Sequence, residues 1–132
     1  MIVDSSALVA ILKREPEHTE FSKLLEATKD VKVSAATYFE TSILIDGQRQ
    51  PSASQLLDVL IEKSRIVIEP VTETQARIAR QAYRDYGKGS GHPANLNFGD
   101  CFGYALAREK REPILFKGDD FVHTDLRAAV RP

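Results

Sequence analysis

Short apolar runs alternate along the chain with stripes of helical period. Met1, Ile2 and Val3 form a run that stops at Asp4, the signature of a brief buried strand. Residues 5–12 follow as a helix, with Asp4, Ser5 or Ser6 available to cap it. Pro16 predicts the start of a second helix, in which Phe21, Leu24, Leu25 and Thr28 recur at i, i+3, i+4 and i+7. Residues 31–34 alternate as a strand does. Helices are predicted over residues 35 to about 47 and 51–64, the latter carrying Leu56, Leu57, Leu60 and Ile61. Residues 65–69 are rich in β-branched side chains and closed by Pro70, so they read as a strand. The capping-box spacing of Thr72 and Gln75 opens an amphipathic helix through Ile78, Ala79, Ala82, Tyr83 and Tyr86. Residues 87–97 contain three Gly and one Pro and predict a loop. A helix from Gly99 or Asp100 to about Lys110, a strand over 113–116 and a last strand over 128–130 complete the series.

Strands separated by helices predict an α/β fold, one domain over residues 1–132, with a mostly parallel sheet covered by helices on both faces. Such sheets bind ligands beyond the carboxyl ends of their strands, near the point where strand order reverses. Composition agrees: 42% hydrophobic and 28% charged residues in 132 describe an ordinary globule rather than a disordered or disulfide-stapled chain. The longest apolar run, Ala7 to Leu12, is six residues, far too short to span a membrane. No basic segment precedes the first apolar run, and Asp4 interrupts it, so a cytoplasmic protein is expected. The single cysteine, Cys101, excludes an internal disulfide and a cysteine-cluster zinc site. His18, His92 and His123 lack the spacing of a zinc hydrolase. Net charge is −1, so a polyanion has to be held locally, by a few basic groups or by metal ions.

Acids stand where this architecture places chemistry. Asp4 ends the first strand, Asp100 lies in the first turn of a helix, and Asp119 and Asp120 follow the strand over 113–116. Glu40 sits early in the helix after the second strand, with Ala36, Ile43 and Leu44 as same-face neighbours, a spacing that aims it at an apolar or buried surface. Singly, each has an ordinary structural use as a helix cap, a solvated surface charge, a favourable dipole partner or a turn former. Jointly they are demanding. Two carboxylates about 4 Å apart repel by roughly 4 kcal/mol at an effective dielectric near 20. A fold accommodates that with protons, basic partners or hard divalent cations.

The opening Met1 to Leu12, the Tyr38-Phe39-Glu40 helix, the Leu96 to Phe102 segment and the closing Pro113 to Phe121 resemble the PIN-domain proteins, most closely the VapC-type ribonuclease toxins of bacterial toxin–antitoxin pairs. The resemblance runs from residue 1 to about Asp125. It implies a Rossmann-like sheet, Mg²⁺-dependent endoribonuclease activity (Mn²⁺ as substitute), frequent homodimers and inhibition by a cognate antitoxin. Carried over by position, Asp4, Glu40 and Asp100 match the principal acids, with Asp4 and Asp100 as the main metal ligands. Asp119 is favoured as the fourth acid because it comes first after the strand. Asp120 remains a substitute, because many relatives place two residues between that acid and the following Phe and this chain places one. Ser6 matches a hydroxyl beside the metal site. Lys88, His92 and Lys117 are candidates for phosphate contact, against an alternative of solvated loop side chains.

Two other functions compete with an RNA-cleaving enzyme. An aspartyl-phosphate phosphohydrolase would use Asp4, but that chemistry calls for a second Asp where this chain has Ser6. A catalytically silent module would use the same fold to bind RNA or protein. Gly87-Lys88-Gly89-Ser90 lacks the spacing of a phosphate-binding loop. Cys101 reads as a packed helix residue, and Tyr83 and Tyr86 as part of a core or dimer stripe rather than a base-stacking platform.

Overall fold

The computed structural model describes residues 1–131. Along the chain run β1 (Ile2–Val3), α1 (Ser5–Leu12), α2 (His18–Ala27), β2 (Lys32–Ser34), α3 (Ala35–Asp46), α4 (Pro51–Lys63), β3 (Val67–Glu69), α5 (Glu73–Tyr86), α6 (Phe98–Lys110) and β4 (Ile114–Leu115). The strands form one parallel sheet in the order β3-β2-β1-β4. Ile2 and Val3 pair with Ile114 and Leu115, and Val33 pairs with Ile68.

Alternation along β1 and β4 sorts the core into two layers. Val3 and Leu115 pack with Leu8, Phe21, Leu25 and Val33 on one face. Ile2 and Ile114 pack with Leu96, Tyr104, Leu106 and Phe121 on the other. Burying each such Leu or Ile contributes roughly 1.5–3 kcal/mol, so two-residue strands suffice where both faces are covered. Because β1 leads to β2 on one side and pairs with β4 on the other, the order of strands reverses at β1. Asp4 stands at that point.

Three expected boundaries move, each for a local reason. The second helix begins at His18 rather than Pro16, because Glu15 bonds back to Ala10 O at 2.9 Å and His18 N donates to Glu15 O, making a tight connection of residues 13–17. The third strand begins at Val67 because Arg65, at φ 53°, and Ile66 complete the end of α4 by bonding to Glu62 O and Ile61 O. Its Val67 and Ile68 are exposed, so this edge is less covered than a doubly covered sheet predicts. The expected strand over 128–130 is a single parallel bridge between Ile114 and Ala128. No helix among the described residues is long and apolar enough to cross a membrane.

Candidate active site

Asp4 leaves β1 with its backbone N–H bonded to Leu115 O at 2.9 Å, which ties it to the β1–β4 ladder. Its carboxylate caps α1: Oδ2 accepts from Ser6 N at 3.1 Å and from Ser6 Oγ at 2.7 Å. The residue is 3% exposed. Burial pushes its pKa up, the Ser6 bonds pull it down, and the charge of Glu40 adds to the rise. The other oxygen faces α6, where a Cβ added to Gly103 would lie 3.4 Å from Asp4 Oδ1. Gly103 is three residues after Asp100, so Asp4 and Asp100 address the same face of α6.

Asp100 is held by a reciprocal cap. Its Oδ2 accepts from Asn97 N at 3.0 Å, and its N–H donates to Asn97 Oδ1 at 2.9 Å. The pair is a capping box, which settles the start of α6 at Phe98. The signal was present in sequence as an Asn three residues before an Asp. Burial drives the Asp100 pKa up to about 7; the Asn97 bond opposes this, and Asp4, Asp120 and Glu40 reinforce it.

Glu40 enters from α3, but not from a core face. The buried side of that helix is Thr37, Thr41 and Ile45, while Ile43 and Leu44 are exposed. The expected apolar surroundings are therefore a surface patch, and Glu40 stands half-buried at its edge. Its carboxylate lies over Gly99, where an added Cβ would overlap it. Gly99 is what allows α3 and the first turn of α6 to meet, a role the sequence reading did not assign. Asp119 and Asp120 are both exposed in the turns after β4. The charge of Asp120 acts on Asp100, whereas Asp119 acts on Asp120. Burial, then Asp119, raises the pKa of Asp120.

Acids from four separate segments thus share the carboxyl end of the sheet. Among the described residues, no basic side chain forms an ion pair with any of them. Nor do His, Cys, Asp and Glu side chains there close into a three-residue metal cage. The donor set is one of hard carboxylate oxygens, with one oxygen of Asp4 and one of Asp100 tied up by caps. Such a set fits Mg²⁺, which uses one or two carboxylates and keeps most of its own water, and does not fit zinc.

The basic candidates lie elsewhere. Lys117 Nζ pairs with Glu15 and Glu17 at 2.9 and 3.2 Å, so it is engaged away from the acids. His92 is structural: its ring packs edge-on against Tyr86 at 4.8 Å and its Nδ1 accepts from Ala94 N. Lys88 is exposed on a groove between α5 and α6 shared with Tyr83, Phe98 and Phe102. Cys101 is buried, and its pKa is pushed up to about 11 by burial and then by Asp100, so it is no nucleophile.

The PIN domain family profile matches residues 1–126. Ribonuclease VapC28 of Mycobacterium tuberculosis is 53% identical over 130 residues, covering 98% of each chain. Among solved structures, M. tuberculosis VapC20, described as a sarcin–ricin loop cleaving toxin, superposes with a TM-score of 0.75 at 21% identity, over 99% of this chain and 98% of that one. A toxin–antitoxin complex from Klebsiella pneumoniae superposes with a TM-score of 0.69 at 17% identity, over 94% and 92%. With the acids gathered at the switch point and relatives matched end to end, the chain belongs to the PIN-domain family and, within it, to the VapC ribonucleases.

Proposed function

We propose that this chain is a Mg²⁺-dependent endoribonuclease, with Mn²⁺ as substitute, acting as the toxin of a toxin–antitoxin pair. The observation that carries the site assignment is the gathering of Asp4, Glu40 and Asp100, three buried or half-buried acids, with no basic side chain paired to them among the described residues. Burial first, and then neighbouring charges, raises the pKa of Asp4 and Asp100. Asp4 and Asp100 would hold the cation, each having one carboxylate oxygen that its cap leaves free. When bound, the ion supplies Lewis-acid polarisation of the phosphodiester and a water of lowered pKa. Ser6 and Asn97 fix the two carboxylate planes through the bonds described above. Glu40, half-buried over Gly99, orients the attacking water and takes its proton. Asp120 is the better-placed fourth acid, because its charge reaches Asp100, and Asp119 modulates it. Water rather than the ribose 2′-hydroxyl attacks the phosphorus and the 3′-oxygen leaves, taking a proton, so products carry a 5′-phosphate and a 3′-hydroxyl.

The ribonuclease names of the relatives support RNA as substrate, and the toxin–antitoxin complex among the similar structures supports a cognate antitoxin as inhibitor; a second copy of the chain is a further proposed partner. Phe39, Ile43 and Leu44 on α3 and Leu56 and Val59 on α4 remain exposed and give such partners apolar surface to cover. Incubating the purified chain with RNA, with and without Mg²⁺, and sequencing the ends tests the reading. Metal-dependent cuts with 5′-phosphate ends, lost in Asp4→Asn and Asp100→Asn, are expected. Ends bearing 2′,3′-cyclic phosphate, or cutting that survives both substitutions, overturn it.

A further inference from the structure

Lys117 is bound twice, and its two attachments lead to different parts of the molecule. Its side chain reaches the turn between α1 and α2, where Nζ lies 2.9 Å from Glu15 Oε2 and 3.2 Å from Glu17 Oε2. Pro16 between these acids restricts the turn and keeps the two carboxylates on offer together. Its backbone N–H donates to Ser6 Oγ at 2.9 Å, and that hydroxyl donates to Asp4 Oδ2 at 2.7 Å. A hydroxyl has one proton and can turn. With the Lys117 N–H occupying one of its lone pairs, the proton of Ser6 is directed to Asp4. The chain then turns at Gly118, with φ of 101°, into Asp119 and Asp120.

We propose that Lys117 is a positioning residue for the metal site: its ion pairs with Glu15 and Glu17 seat the segment after β4 so that its N–H locks Ser6 onto Asp4 and leaves Asp4 Oδ1 presented to the cation. This deepens the metal-dependent reading above and rests on it. It also assigns Lys117 to the protein's own framework rather than to the substrate's phosphates. Outer contacts of this kind to a ligating carboxylate typically alter metal affinity about 10–100-fold.

Electron paramagnetic resonance titration of the purified full chain with Mn²⁺ tests it, beside RNA cleavage kinetics at saturating metal. Wild-type binding that is lost in Asp4→Asn establishes the site. Lys117→Met and the double variant Glu15→Gln/Glu17→Gln are each expected to weaken Mn²⁺ binding by about 10-fold. Lys117→Arg, which keeps both pairs, retains most of the affinity, and KM for RNA at saturating metal stays near wild type in all of them. Wild-type Mn²⁺ affinity in both Lys117→Met and the double glutamine variant, with KM for RNA raised in Lys117→Met alone, overturns the positioning role and leaves the metal-dependent reading standing. Absence of Mn²⁺ binding by the wild-type chain overturns both.

Discussion

Two groups of acids lie on either side of Ser6, and they have opposite electrostatic fates. Glu15 and Glu17 face a lysine; the pKa of Glu17 is lowered by its own backbone N–H and then by Lys117, and that of Lys117 is raised by its bond to Glu15 and then by that to Glu17. Asp4 and Asp100 face other carboxylates, and both are pushed upward, first by burial. The first group holds the chain together at the surface. The second is stressed as the protein stands, and the proposed cation would relieve that stress. An acid's place in the sequence does not separate these cases; what stands opposite it does.

The comparison is broken most severely by neutralising the stressed pair. Asp4→Asn and Asp100→Asn are each expected to lower cleavage about 10³-fold or more while leaving the fold intact, as measured by RNA cleavage and circular dichroism. Next comes Glu40→Gln, with a loss of about 10²–10⁴-fold, the usual contribution of a general base. Gly99→Ala displaces the Glu40 carboxylate without removing it and is expected to cost about 10–100-fold, the range for a small misplacement of a reacting group.

A pH series separates the two groups on stability. The folded pKa of Asp100 is raised to about 7 from an ordinary 3.8, so between those values the native state holds more protons than the unfolded chain. Metal-free protein therefore loses stability from this group as pH rises from about 4 to about 7. Thermal melts without metal are expected to show a higher Tm at pH 5 than at pH 7.5, with Mg²⁺ restoring Tm only at the higher pH. Asp100→Asn flattens the profile. The smallest effect is that of Glu15→Gln alone, which leaves Lys117 its pair with Glu17 and moves Tm little.

Much of this was legible in the residues. The βαβ order, the two covered faces and the placing of Asp4 at a strand end follow from hydrophobic spacing alone, because alternation in β1 and β4 has only one way to fill two layers. The positions of Asp4, Glu40 and Asp100 were legible too, although their convergence depends on the parallel sheet and not on any local spacing. The surroundings of Glu40 were misread because an apolar stripe on α3 does not say whether it is covered. For Lys117 and His92 the sequence leaves phosphate contact and a structural use open, because their partners Glu15, Glu17 and Tyr86 lie on other elements. Gly99 carries no signal of its own kind, since its importance is the space it leaves for Glu40.

Isothermal titration calorimetry of Mg²⁺ or Mn²⁺ into the purified chain, repeated from pH 5.5 to 8 in buffers of different ionisation enthalpy, is the most direct test of the stressed pair. The account predicts binding that strengthens up to about pH 7, releases about one proton per ion near pH 6, and disappears in Asp4→Asn and Asp100→Asn. Binding that is indifferent to pH, or that persists in both variants, would contradict it.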